Sequence, residues 1–122
     1  MKRKILIAAA VAGLIFPLQS NAEEVYREPV RMEATAYDYG KLTAAGVPVR
    51  EGICAGKREW IGKTAVIYNN QMELIGIYEI LDTGGDERIR NGTCLDIYIP
   101  DEQRCKEWGR QTVYVQILEA AG

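Results

Sequence analysis

Two carboxylates, Asp82 and Asp96, occupy positions where acid–base chemistry could be built. The run Glu79-Ile80-Leu81 is apolar and β-prone and delivers Asp82 to Thr83-Gly84-Gly85. A polar connection leads from Asp86 to Cys94, and a second apolar run from Leu95 to Ile99 carries Asp96 in its middle. An unpaired carboxylate is costly inside such a run, so Asp96 is either turned outward by the pleat or retained for a purpose. Gly84 and Gly85 allow left-handed backbone and close approach of a ligand, although Asp-Thr-Gly-Gly after a strand is also an ordinary turn signal. Two carboxyls close together cannot both ionise easily. One then keeps its proton towards neutral pH, which is what a general acid requires.

Composition removes several other chemistries. The 122 residues contain no histidine, so the commonest general base and the commonest zinc ligand are missing. The spacing of Cys54, Cys94 and Cys105 matches no zinc motif. No metal centre and no cofactor is expected, and a catalytic cysteine is disfavoured without an imidazole partner. Residues 1–22 read as a secretory signal peptide, with a Lys2-Arg3-Lys4 head, an apolar segment from Ile5 to Leu18, and small Ser20 and Ala22 near the cleavage point. Removing those three basic residues takes the formal charge from −2 to −5, with no basic patch for a nucleic-acid partner. The apolar segment is shorter than the ~20 residues that span a bilayer. A secreted or periplasmic monomer is expected, with no transmembrane span once the signal is removed. Such a compartment permits disulfides, and joining Cys54 to Cys105 would close the longest loop, worth ~4 kcal/mol in the chain-entropy model.

The positioning elements follow from periodicity. Residues 23–29 read as a flexible lead, and 30–122 as one domain. Val30, Met32, Ala34 and Ala36 alternate with Arg31, Glu33, Thr35 and Tyr37, which predicts a first strand. A loop with Asp38, Gly40, Gly46 and Pro48 comes next. Thr64–Tyr68 and Met72–Leu81 flank Asn69-Asn70 and predict a hairpin that feeds Asp82. After the Asp96 strand, Pro100-Asp101 opens a short helix with Asp101 or its neighbour as cap and Gly109 as its end, and Val113 to Leu118 alternates as a last strand. Short strands with one or two short helices predict a small, mostly β barrel.

Several motifs fall together in order: Ala34-Thr35-Ala36-Tyr37, Thr43-Ala44-Ala45-Gly46-Val47-Pro48-Val49, Glu51-Gly52, Asp82-Thr83-Gly84-Gly85, Leu95-Asp96-Ile97-Tyr98 and Trp108-Gly109-Arg110-Gln111-Thr112-Val113. Over residues 32 to 118 the chain resembles the three-aspartate (3D) domain family. The resemblance implies a six-stranded double-psi β-barrel, similar to the catalytic domain of membrane-bound lytic transglycosylase A and related in shape to rare lipoprotein A and expansins. It implies action on peptidoglycan glycan strands, by cleavage of the bond between N-acetylmuramic acid and N-acetylglucosamine. Asp82 is then expected as acid and base, and Asp96 as the ionised partner that stabilises charge on the sugar. Thr83, Gly84, Gly85 and Tyr37 are expected to bind the sugar, with Tyr39, Trp60 and Tyr98 as further stacking candidates. Asp38 and Glu79 are reserve carboxylates. The family's first aspartate is replaced here by Lys57, which is expected to pair with Asp82 or Asp96. A wall-binding module without catalysis is the alternative. Asp82-Thr83-Gly84 also matches the aspartic-protease signature, although that motif belongs in the first third of a chain this short.

Overall fold

The computed structural model describes residues 25–120. The expected signal peptide lies outside them.

Alternation is clearest in the last strand, Gln111–Leu118, where Val113, Val115 and Ile117 are fully buried and the residues between them are not. Burying each such side chain contributes roughly 1.5–3 kcal/mol, which fixes the register of the whole strand. The other strands are β1 (Tyr26–Tyr37), β2 (Ile53–Ala55), β3 (Thr64–Tyr68), β4 (Leu74–Asp82) and β5 (Cys94–Tyr98), with Gln111–Leu118 as β6. They close into a six-stranded barrel in the order β1-β5-β2-β4-β3-β6. β1 runs parallel to β5 and β2 parallel to β4, and the remaining neighbours are antiparallel. These two parallel pairs interleave the two halves of the chain, as expected of a double-psi barrel. The core holds Met32, Ala34, Cys54, Ile67, Ile80, Leu95, Ile97 and the β6 valines, closed at one side by Trp60.

Two helices complete the fold. Helix α1 (Glu87–Arg90) stands within the polar connection from Asp86 to Cys94. The Asp86 carboxylate caps it by accepting from the Arg88 amide at 2.8 Å, and buried Ile89 anchors it. Helix α2 (Glu102–Trp108) has the expected ends: Asp101 accepts from the Arg104 amide at 3.0 Å, and Gly109 leaves the helix at φ 65°. The Trp108 indole N–H donates to the Ala34 carbonyl at 3.1 Å, which pins α2 to β1. The hairpin forms around Asn69, whose side chain accepts from the amides of Gln71 and Glu73, with Met72 left-handed at φ 64°.

Two expectations are corrected. The strand begins at Tyr26, inside the expected flexible lead, because Tyr26 pairs with Ile117 and its ring meets Trp60 edge-on at 5.6 Å. The Cys54–Cys105 disulfide does not form, and Cys54, Cys94 and Cys105 are free thiols. Cys54 points from β2 into the core, whereas Cys105 lies half-buried on α2 with its thiol donating to the Ile99 carbonyl at 3.3 Å. Among the described residues, no helix is long and apolar enough to cross a membrane.

Candidate active site

Strand pairing brings the two carboxylates together. Ala55 on β2 is the register partner of Asp82 on β4 and of Asp96 on β5. Asp96 in turn pairs with Thr35 on β1. The row Thr35, Asp96, Ala55, Asp82 therefore runs across four strands, with an alanine between the acids. At the usual strand spacing of ~4.8 Å, the two aspartate Cα atoms stand roughly 10 Å apart. Leu95 and Ile97 face the core, so the pleat turns Asp96 outward. There it is half-buried.

Asp82 is held by three donors. Its Oδ1 accepts from the amides of Ala44 and Thr83, each at 3.0 Å, and its Oδ2 accepts from the Tyr37 hydroxyl at 3.3 Å. The loop between β1 and β2 is thereby tied to the end of β4, with a further bond from the Ala45 amide to the Leu81 carbonyl at 3.0 Å. Buried Thr43 braces this loop from within through the Val47 carbonyl. Burial, then the charge of Asp82, push the Tyr37 phenol well above its usual range, so it remains a donor.

Asp96 has one side-chain donor, the Thr35 hydroxyl at 2.9 Å. Burial pushes its carboxyl above the ordinary aspartate value. The Thr35 bond and the Arg110 guanidinium oppose that shift, while the charges of Asp86 and Asp82 add to it. Two hollows meet at Asp96. The larger, about 440 Å³, is lined by Tyr37, Asp38, Tyr39, Cys105 and Lys106, and the smaller, about 210 Å³, by Gly84, Gly85, Arg88, Ile89 and Cys94. Thr35, Tyr39, Asp96 and Arg110 line both, so the two read as one groove with Asp96 at its centre. Asp82 lines neither.

The other expected residues divide clearly. Thr83 serves Asp82 through its amide, and Gly84 and Gly85 form a wall of the smaller hollow. Neither glycine adopts a positive φ. Gly84 packs closely instead: a Cβ there would come within 3.3 Å of the end of the Ile89 side chain. Tyr37 is buried and committed to Asp82, so the ring free for stacking is Tyr39, which is 71% exposed. Tyr37 meets the Tyr39 ring at 5.6 Å and the Tyr98 ring at 5.4 Å. Trp60 is a core residue. The Lys57 ammonium stands 5.9 Å from the centre of the Trp60 ring, and the Arg110 guanidinium acts on Asp96. Arg110 is itself bonded to Glu33 at 3.0 Å. Glu79 is paired with Arg50 on the surface, whereas Asp38 borders the groove.

Sequence reasoning missed Thr35 and Arg110 as site residues. Both lie inside motifs already recognised, Ala34-Thr35-Ala36-Tyr37 and Trp108-Gly109-Arg110, but only strand register sets Thr35 beside Asp96, and only the shared hollows bring Arg110 there. Among the described residues, no group of three or more acidic or cysteine side chains is placed to hold a metal ion. What the geometry provides is a half-buried carboxyl with a raised pKa, open to an elongated groove and backed by a second, tethered carboxylate. No known protein-family model matches the chain, and no curated protein matches it either.

Proposed function

We propose that the protein is an exported peptidoglycan-cleaving enzyme of the lytic transglycosylase type, working in the secreted or periplasmic space, with Asp96 as the proton-transferring residue. The observation that carries this reading is Asp96 itself, kept above the ordinary aspartate value by burial and opening into hollows on both sides. A glycosidic bond lying across Asp96 would place one sugar in each hollow. Tyr39 borders both and offers a ring face for a sugar. Membership of the 3D domain family is part of the proposal, supported by the ordered motifs and by the closed six-stranded barrel.

The roles first expected of the two aspartates are exchanged in this reading. Protonated Asp96 donates its proton to the glycosidic oxygen as the bond to C1 of the muramic acid breaks. The resulting carboxylate then takes the proton from that sugar's 6-hydroxyl, whose oxygen closes on C1 to give the 1,6-anhydro ring. No water is consumed. Asp82, with its oxygens occupied by Tyr37, Ala44 and Thr83, acts through its charge, which disfavours ionisation of Asp96 before the bond breaks.

Mass spectrometry of soluble products from peptidoglycan sacculi tests this. Anhydromuropeptides are the expected product. Reducing-end products would replace the transglycosylase assignment with hydrolysis. Retention on sacculi without any soluble product would leave a wall-binding module.

A further inference from the structure

Helix α2 walls two different cavities. Glu102, Cys105 and Lys106 line the groove at Asp96, whereas Arg104, Glu107 and Trp108 line a separate hollow of about 490 Å³. At 3.6 residues per turn these two sets occupy opposite faces of the helix. The floor of the second hollow is apolar and aromatic, with Ile75, Tyr78 and Trp108. Its rim carries both signs of charge: Glu51, Arg104 and Glu107. The Tyr78 ring occupies the space above Gly76, where a Cβ would come within 2.9 Å of it. Trp108 is fixed in orientation by its bond to Ala34. Arg104 meets Glu51 only at 3.9 Å, with the side chains 59% and 68% exposed. Such a loose surface pair is worth ~0–1 kcal/mol, so a ligand carboxylate can take its place.

We propose that this hollow binds a short, extended peptide carrying both a carboxylate and an ammonium group. The carboxylate meets Arg104, the ammonium meets Glu107 or Glu51, and the aliphatic stems lie on Tyr78 and Trp108. A bare glycan is uncharged and would gain nothing from the rim charges, which hold one another only through the loose Arg104–Glu51 pair and a bond from Gln103 to Glu107 at 3.3 Å. The two cavities are also spaced for one polymer. A helix with its side chains is about 10–12 Å across, and an extended residue spans about 3.3–3.6 Å. Passing over α2 means following half its circumference, about 16–19 Å, so a branch of about five extended residues runs from a sugar in the groove into this hollow. Its identity as a branch of the cleaved glycan rests on the proposed function, whereas binding of the free peptide does not.

The test is proton–nitrogen NMR of the purified protein, titrated separately with the free tetrapeptide L-Ala-γ-D-Glu-L-Lys-D-Ala and with a peptide-free chitin hexasaccharide. The tetrapeptide is expected to shift the Trp108 indole signal and the amides of α2, with a dissociation constant of order 1 mM. Arg104→Glu should weaken that binding about fivefold or more, whereas Lys106→Glu, on the groove side, should leave it within about twofold. The hexasaccharide should shift signals around Tyr39 and Asp96 instead. The proposal is overturned if ~10 mM tetrapeptide leaves Trp108 unmoved, or if Arg104→Glu binds it as well as the parent does. Peptide binding at Trp108 without any hexasaccharide effect would uphold this site and count against the glycan reading of the groove.

Discussion

Replacing Asp82 with alanine should uncouple the β1–β2 loop from the barrel, and the size of the effect follows from its three bonds. The half-buried Thr83 amide and the Tyr37 hydroxyl lose a charged acceptor, at about 1–2 kcal/mol each, while the exposed Ala44 amide gains water and loses about 0.5 kcal/mol. The sum is about 3 kcal/mol. For a domain of this size that corresponds to a fall in Tm of roughly 12–24 °C. Asp82→Asn keeps an oxygen for the two amides and an amide group that the Tyr37 oxygen can accept from, so it should cost only about 1 kcal/mol. Urea unfolding at pH 7, followed by tryptophan fluorescence, measures both variants with the slope m checked for constancy. A loss below ~0.5 kcal/mol for Asp82→Ala, or equal losses for the two variants, would refute the tether.

The raised carboxyl of Asp96 makes stability pH-dependent with a definite sign: its contribution is fully present below the unfolded aspartate value of about 3.9 and is lost as pH rises through the higher folded value. Asp96→Asn, which cannot ionise, should therefore gain stability relative to the parent between about pH 4 and 7. A difference that stays constant across that range would contradict the shift. The thiols give a second check: native protein should react with a thiol reagent at half-buried Cys105 well before Cys54 and Cys94, all three should react in denaturant, and a reductant should leave the Tm unchanged. A Tm lowered by reductant would restore the disulfide. At Gly56 an added Cβ would lie 3.0 Å from Leu95 and 3.3 Å from both Ile80 and Trp60. Gly56→Ala should accordingly cost about 1–3 kcal/mol by overpacking, measurable by the same urea titration, and a neutral result would mean that this corner of the core is loosely packed.

The barrel was legible in the sequence wherever one strand face is apolar. Val113, Val115 and Ile117 set β6 without ambiguity, and the Asn69 turn set the hairpin. Asp96 was legible as a carboxylate set in a buried run, either turned outward or retained for a purpose. That Asp82 is tethered while Asp96 borders the groove was not legible, because the tether includes the backbone amide of Ala44, to which no side chain contributes a signal. Tyr37 was read as a sugar-stacking ring at a strand end; it is buried, with its hydroxyl bonded to Asp82, a contact that strand periodicity does not reveal. The early start of β1 depends on Tyr26 meeting Trp60 across 34 residues of chain, a contact invisible to local pattern. The placement of the Lys57 ammonium over the Trp60 ring, at the start of the 3-10 turn from Arg58 to Trp60, was not legible from the motif order.

The rate at which Asp96→Asn releases soluble anhydromuropeptides from sacculi, compared with the parent and with Asp82→Asn, bears most directly on the central claim. Loss of the proton-transferring group should slow release by about 10²–10⁴-fold in Asp96→Asn, with a smaller decrease in Asp82→Asn, which retains the loop's acceptor. Release by Asp96→Asn at the parent rate, or a larger loss in Asp82→Asn than in Asp96→Asn, would contradict the assignment of proton transfer to Asp96.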